Sequence, residues 1–190
     1  MNLSITEQKN RIRLQHKIIR KSLNNHVLSG EIMKKLVGLS EFQNAVSVFC
    51  YISFGDELDT SGILNFPDKK IFVPKVIENE MYMTKYTPQN LKTGKFGITE
   101  PAECSPVTPS ESDVIIVPAL ACDKNFYRIG YGKGFYDKFT KDTKAVKILP
   151  IPSVFVSENI PHDENDIKTD IIVTENFVLK RNKIVTKSLI

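Results

Sequence analysis

The stretch 113–140, DVIIVPALACDKNFYRIGYGKGFYDKFT, runs from an unbroken apolar segment through a glycine-rich loop into a short helical pattern. Its first six residues, DVIIVP, have the β-branched, continuously apolar character of a strand buried on both faces, as in the centre of a parallel sheet. Between that strand and the helix lies Tyr127-Arg128-Ile129-Gly130-Tyr131-Gly132-Lys133-Gly134-Phe135-Tyr136-Asp137-Lys138-Phe139. Its alternating glycines permit positive φ and let a ligand come close to the backbone N–H groups. With a helix starting near Gly134 and full charges on Arg128 and Lys133, the loop suits an anion, and phosphate is the expected ligand. The spacing is neither a P-loop nor GxGxxG, so a plain flexible turn stays open on spacing alone.

Working outward, 45–53 (AVSVFCYIS) reads as a second buried strand, followed by an acidic loop with Asp56, Glu57, Asp59 and Thr60. Ligands of α/β sheets gather beyond the carboxyl ends of strands, so that loop is a binding position, although Asp59 or Thr60 also suits a helix cap. Further strands are predicted over 70–76, 81–86, 145–149 and 171–174, the second of them partly exposed. Residues 87–112 form a long connection rich in Pro, Thr, Ser and Glu, of the kind that serves as a lid or binding loop. An amphipathic helix is expected over 6–23 with Thr6 as N-cap, its stripe of Ile5, Ile12, Ile19 and Leu23 facing the core. On the same wheel Lys9, Arg13 and Arg20 fall within roughly 40° of one another beside that stripe, placed either to reach a cleft or to form a solvated basic face. A second helix covers 27–37 and stops at Gly38. Strands alternating with helices predict an α/β fold of three layers with a largely parallel sheet.

At 190 residues, with no repeat or convincing linker, one domain over 1–190 is expected. The chain contains no run of eighteen apolar residues, and residues 1–9 turn polar before an apolar signal core forms, so a soluble, cytoplasmic protein without membrane partners is expected. Three cysteines without a CxxC pair argue against a disulfide framework or structural zinc, and Cys50 reads as a small buried hydrophobe. His16, His26 and His162 are isolated from other ligand-type residues. A net charge of +4 suits an anionic small molecule as readily as nucleic acid.

The order of motifs resembles the 5-formyltetrahydrofolate cyclo-ligase (methenyltetrahydrofolate synthetase) family nearly end to end. The resemblance is carried by Lys9 and Arg13, Tyr51 before Glu57 and Thr60, Val73-Pro74-Lys75-Val76, Phe96-Gly97-Ile98 before Glu100-Pro101, Val117-Pro118 with Asp123, the stretch Arg128 to Asp137, and Glu164-Asn165-Asp166-Ile167-Lys168 leading into Asp170. It implies a Rossmann-like α/β fold and a reaction dependent on ATP and Mg²⁺: ATP phosphorylates the formyl oxygen of 5-formyltetrahydrofolate, the 10-nitrogen closes the ring, and 5,10-methenyltetrahydrofolate, ADP and phosphate leave. By the same carry-over Lys9, Arg13, Arg128, Ile129, Gly130, Tyr131, Gly132, Lys133, Gly134, Phe135 and Tyr136 hold ATP, with Arg128 and Lys133 as the catalytic cations. Ile52 and Glu57, with Phe135 and Tyr136, meet the folate; Asp137 and Asp166 carry Mg²⁺.

Such phosphoryl transfer needs positioning and charge neutralisation rather than a nucleophilic side chain. Asp137 also reads as a first-turn partner of the helix dipole, and Asp166 as a turn residue. Two positions depart from the family pattern: Tyr131 stands where a basic residue is common, and Phe135 replaces the first of a Tyr-Tyr pair. The competing expectations are a sugar-phosphate or acyl-CoA enzyme on a similar fold, or a nucleic-acid-binding module built on the basic first helix. The main reading has small-molecule substrates only and a monomeric enzyme.

Overall fold

The protein was analysed as a computed structural model, which describes residues 3–94, 97, 99–108 and 112–181; Phe96 and Ile98 of the family motif lie outside the described residues. The chain opens with α1 (Ile5–Lys21), α2 (Asn25–Val37) and α3 (Ser40–Gln43), then β1 (Ser47–Cys50), α4 (Ser61–Leu64), β2 (Lys70–Ile77) and β3 (Glu80–Lys85). After β4 (Leu91–Thr93), β5 (Thr99–Pro101) and β6 (Val114–Ile116) come β7 (Ala121–Asp123), β8 (Arg128–Ile129), α5 (Phe135–Thr140), β9 (Val146–Pro150), β10 (Val156–Ser157), β11 (Ile171–Val173) and β12 (Val178–Lys180).

Seven strands form the main sheet in the order β12-β11-β9-β6-β1-β2-β3. Its five inner strands are mutually parallel, and β3 and β12 close its two edges antiparallel. Side chains alternate between faces along each strand. Val48, Cys50, Val114, Ile116 and Ile148 pack with Ile32 and Leu36 of α2, Phe42 of α3 and Ile63 of α4. Phe49, Ile115, Leu149 and Ile172 pack on the opposite side, with Ile19 and Leu23 from the α1 end and Phe139 of α5. Burial on both sides is why these strands read as continuous apolar runs rather than as alternation. The three-layer α/β fold with a largely parallel sheet is therefore as predicted. The strand β12 was not foreseen; it follows a tight turn in which Thr174 Oγ1 accepts the N–H of Phe177 at 2.8 Å.

The first helix departs from expectation in an informative way. Its N-cap is Ser4, not Thr6: Ser4 Oγ accepts the Glu7 N–H at 3.3 Å while Glu7 accepts the Ser4 N–H at 2.8 Å, a capping box. Of its predicted apolar stripe, Ile12, Ile19 and Leu23 are half-buried and pack against the core as expected while Ile5 is exposed, and the two fully buried residues of the helix are Lys9 and Arg20. The helix lies against the carbonyl-rich stretch before β7, where His16 Nδ1 sits 2.9 Å from the Leu120 oxygen and Arg20 donates to the Ala119 oxygen at 2.9 Å. Those buried carbonyls need polar partners, which the helix supplies beside its apolar stripe.

A second, three-stranded sheet in the order β10-β7-β8 lies beyond the end of β6. The β7–β8 hairpin turns through Phe126 at φ 72° and is organised by Asp123, which is fully buried. The Asp123 carboxylate accepts N–H groups from Asn125 (3.0 Å), Tyr127 (2.9 Å) and Ile160 (3.2 Å). It thereby joins the glycine loop to the segment after residue 160. The 87–112 connection is less irregular than its composition predicts, since β4 and β5 pair as a hairpin. Lys75 of β2 ties that hairpin down, donating to Glu100 Oε1 at 2.6 Å and to the Pro101 oxygen at 2.9 Å.

Two aspartates pin the amino ends of the parallel strands. Asp113 accepts the N–H of Val46 at 2.8 Å and of Ser47 at 2.9 Å, fastening β6 to β1. Asp170 accepts the Lys147 N–H at 3.0 Å and the Arg181 guanidinium at 2.6 Å, fastening β11 to β9 and to the exit of β12. The carboxyl ends of the strands carry the site.

Candidate functional site

Counting only the parallel strands, the sheet runs second, first, third, fourth, fifth: the chain leaves β1 for β2 on one side and returns through β6 on the other. The crevice opened by that reversal is the standard ligand position of open α/β sheets. A cavity of ≈ 750 Å³ fills it, bounded by Tyr51 and Ile52 after β1, Pro118 after β6, Glu57, and the glycine loop. Lys9 and Arg13 enter from α1, and residues 163–167 close another wall. Every residue nominated from the sequence lines this one space: Lys9, Arg13, Ile52, Glu57, 128–137 and Asp166.

The glycines play unequal parts. Gly132 (φ +99°) and Gly134 (φ +67°) use the left-handed freedom expected of them, whereas Gly130 serves close approach. A Cβ on Gly130 would stand 3.2 Å from Arg128 Nη1, and one on Gly132 would stand 3.3 Å from Arg13 Cζ. Arg13 Nε donates to the Gly130 oxygen at 2.9 Å, so α1 grips the loop from outside. The helix after Gly134 spans six residues, so its dipole is weaker than the sequence reading assumed and the positive field rests on side chains. Among those, Lys133 is exposed at the cavity and Arg128 is buried.

Arg128 and Lys9 are each paired with the carboxylates nominated for a metal. Arg128 Nη2 donates to Asp137 Oδ1 at 2.9 Å, and the same oxygen accepts the Ile167 N–H at 3.2 Å. Lys9 Nζ donates to Asp163 at 2.8 Å and to Asp166 Oδ2, which also accepts the Asp163 N–H at 2.7 Å. Burial by itself would lower the Lys9 ammonium; hydrogen bonds and charge from Asp163 and Asp166 outweigh it and raise its pKa above the ordinary lysine value. The Lys9 hydrogen bond in turn holds the Asp163 carboxyl low. Among the described residues Asp137 Oδ2 and Asp166 Oδ1 accept no hydrogen bond, and no group of three or more His, Cys, Asp or Glu forms a metal cage. Two half-committed carboxylates beside a cationic pocket fit Mg²⁺, which takes one or two protein carboxylates and completes its shell with water and phosphate oxygens. The sequence reading missed Asp163, whose link to Lys9 spans 154 positions; its local mark is an Asx turn in which Oδ1 accepts the Asn165 N–H at 3.0 Å.

Glu57, beside Tyr131 of the glycine loop, gives the cavity an acidic wall. Glu57 is half-buried, and burial raises its carboxyl above the usual range against the opposing effects of Tyr131, the Phe54 N–H at 3.0 Å and the charge of Arg20. The acidic loop is held in place by Thr60, whose hydroxyl donates to the Tyr51 oxygen at 2.8 Å, and by Ser29 of α2, which accepts the Asp59 N–H at 2.9 Å. The N-cap of α4 is Thr60 rather than Asp59 and its side chain makes no cap hydrogen bond; Asp59, one position earlier, accepts the Ser61 N–H at 2.9 Å in an Asx turn. Among the described residues the buried Tyr136 hydroxyl has no hydrogen-bond partner, and burial pushes its pKa well above the usual phenol value. Cys50 is fully buried in β1 with its thiol pushed up by burial, consistent with a core role.

A single crevice at the carboxyl ends of a parallel sheet, walled by a cationic glycine loop and by the acidic residue Glu57, is the arrangement of an α/β enzyme. Comparison with known proteins narrows the class. The chain belongs to the 5-formyltetrahydrofolate cyclo-ligase family, whose sequence model matches residues 5–175. It is 29% identical over 184 residues to a probable 5-formyltetrahydrofolate cyclo-ligase of Schizosaccharomyces pombe, covering 83% of this chain and 90% of that one. The 5-formyltetrahydrofolate cyclo-ligase of Haemophilus influenzae is 26% identical over 184 residues, covering 88% and 98%. Among solved structures, the 5,10-methenyltetrahydrofolate synthetase of Aquifex aeolicus superposes with a TM-score of 0.81 at 32% identity, covering 95% of this chain and 98% of that one. No helix among the described residues is long and apolar enough to cross a membrane.

Proposed function

We propose that the protein converts 5-formyltetrahydrofolate to 5,10-methenyltetrahydrofolate at the expense of ATP, releasing ADP and phosphate. The observation that carries this reading is the shared cavity: one continuous space is lined by Lys9, Arg13, Arg128 and Lys133 together with Tyr51, Ile52 and Glu57. ATP takes the cationic end, its phosphates along the backbone of Gly130 to Gly134, and the folate takes the other. Glu57 accepts hydrogen bonds from pterin N–H groups, while Phe135 and Tyr136 supply the aromatic wall between the two ligands. Transfer of the terminal phosphoryl group to the formyl oxygen builds negative charge that Arg128 and Lys133 neutralise. Attack by the 10-nitrogen then closes the five-membered ring and expels phosphate. Asp137 and Asp166 are the residues that would hold Mg²⁺, which supplies neutralisation of the phosphate charge when bound. The enzyme works as a monomer in the cytoplasm on these small molecules, without nucleic acid.

Purified protein given MgATP and 5-formyltetrahydrofolate is expected to develop methenyl absorbance with one ADP formed per product. A folded preparation that gives neither at saturating MgATP sinks the proposal. The loop makes its own prediction. At Gly132 any other residue adopts a strained backbone, worth about 1–3 kcal/mol, and its Cβ presses on the Arg13 guanidinium. Gly132→Ala is expected to weaken ATP about tenfold in a calorimetric titration while leaving folate affinity alone. Equal ATP affinity in the variant would remove the loop from the nucleotide site.

A further inference from the structure

Asp163 belongs to none of the motifs that carry the resemblance, yet it lines the cavity from a loop fastened at both ends. The Ile160 N–H donates to Asp123 at 3.2 Å and the Thr169 N–H to the Phe126 oxygen at 2.9 Å, so the segment between them is tied to the β7–β8 hairpin. Next to Asp163, His162 stacks on Tyr127 with ring centres 3.6 Å apart and 11° between the planes, and Lys168 Nζ stands 4.5 Å from the centre of the same Tyr127 ring. Inside those ties residues 163–166 close a turn. The Asp166 N–H donates to the Asp163 backbone oxygen at 3.2 Å, and the Asp163 N–H to Asp166 Oδ2 at 2.7 Å. Asp163 Oδ1 accepts the Asn165 N–H at 3.0 Å, which leaves Oδ2 for Lys9 at 2.8 Å.

One turn thus gives Lys9 two carboxylates, and they are not equivalent. Asp166 Oδ2 accepts both Lys9 and the Asp163 N–H, and Asp166 is also one of the two residues that would hold Mg²⁺. Asp163 has only the turn and Lys9 to serve. The Lys9 side chain is 10% exposed, and a charge so far out of water needs a standing partner. Two of the three ammonium N–H groups go to the aspartates, and the third remains for a phosphate oxygen in the cavity that Lys9 lines. We propose that Asp163 is a positioning residue for Lys9: it keeps the ammonium at the phosphate end of the cavity so that Asp166 can serve a divalent cation without releasing it. The proposal rests on the ATP reading of the cavity. Without Asp163 the ammonium and the metal, two like charges, draw on one carboxylate. The ties to Tyr127 and Asp123 hold Asp163 in place before any ligand enters, so Lys9 is presented without a rearrangement of the loop.

Asp163→Asn separates the two duties of the side chain. Its amide oxygen still accepts the Asn165 N–H and keeps the turn, while its amide nitrogen faces Lys9 and the charge is gone. ATP is titrated calorimetrically without folate, once with Mg²⁺ and once with EDTA. Affinity for MgATP is expected to fall about tenfold, the size of one lost charged hydrogen bond, while affinity in EDTA stays within about threefold of wild type. In a Lys9→Met background the same substitution is expected to change MgATP affinity by less than about twofold, because Asp163 acts through Lys9. If the asparagine variant does not fold, Asp163→Ser, whose hydroxyl also accepts a turn N–H, replaces it. MgATP binding as tight as wild type or tighter, the result of merely removing a carboxylate from beside the phosphates, overturns the proposal. An equal loss in EDTA overturns it in favour of a structural turn, and a loss that persists in Lys9→Met overturns it in favour of direct contact between Asp163 and the metal. The ligand-free protein gives a second reading: the ¹⁵Nζ ammonium signal of Lys9, assigned through Lys9→Met, is expected to exchange with water about fivefold faster in Asp163→Asn, and an unchanged rate refutes the hold on Lys9. Absence of ATP binding by wild type overturns instead the functional reading, and the exchange rate still decides whether Asp163 holds Lys9.

Discussion

Arg128→Met is expected to lower turnover by about 10²- to 10³-fold, the loss typical of removing one preorganised donor from developing charge. The guanidinium does two jobs. It is 5% exposed, so its charge acts at close to full strength on whatever anion enters the cavity, and it fixes Asp137 through the 2.9 Å bond from Nη2. Methionine fills a similar volume but leaves Asp137 with only the Ile167 N–H among its described partners. Lysine is a poor substitute because one ammonium cannot reproduce a planar fork that faces Asp137 and the Gly130 backbone together. The measurement is single-turnover formation of methenyl product, with a thermal melt on the same sample to separate chemistry from folding. A methionine variant within threefold of wild type would show that the buried cation is structural only.

Asp123→Ala is expected to cost more stability than any substitution inside the cavity. Its carboxylate is fully buried and satisfies three backbone N–H groups, two in the β7–β8 turn and one at Ile160. Removing it leaves those donors without an acceptor in a region with little room for water, a loss of roughly 3–5 kcal/mol. Asp123→Asn, which keeps one acceptor oxygen, should lose about half of that. Urea unfolding provides the test, and a loss of less than about 1 kcal/mol in the alanine variant refutes the accounting. The same substitution should loosen both walls of the phosphate end, because Tyr127 precedes Arg128 and Ile160 leads into the Asp163–Asp166 turn.

The parallel core was legible because burial on both faces writes itself as unbroken apolar runs, and 45–53 and 113–118 contain such runs around β1 and β6. The glycine loop was legible as a candidate anion site because glycine and cations at that density have few other uses. Three features resisted reading for identifiable reasons. The β7–β8 hairpin turns through Phe126 in a left-handed conformation that glycine or asparagine usually signals, so the bending position itself carries no turn mark although Asp123 and Asn125 precede it. Ile12, Ile19 and Leu23 of the α1 stripe do pack against apolar clusters, but the residues buried beside them, Lys9 and Arg20, meet carboxylates and a carbonyl contributed by residues more than ninety positions away. Helical periodicity locates a face but cannot tell what covers it. Lys9 and Arg13 were picked out as cations at the edge of that face, and only the tertiary fold supplies Asp163, Asp166 and the Gly130 oxygen that hold them.

The aspartates at the amino ends of the parallel strands have a consequence for how this sequence can drift. Asp113 and Asp170 stitch neighbouring strands together at the end of the sheet remote from the cavity. The loops beyond the carboxyl ends therefore hang from a frame whose register does not depend on them. Changes of length or chemistry around Glu57 or residues 163–167 can accumulate without unzipping the sheet, while a single change at either stitch is felt by strands on both sides. A lineage acquiring a different ligand can rewrite one end of the molecule and must leave the other alone.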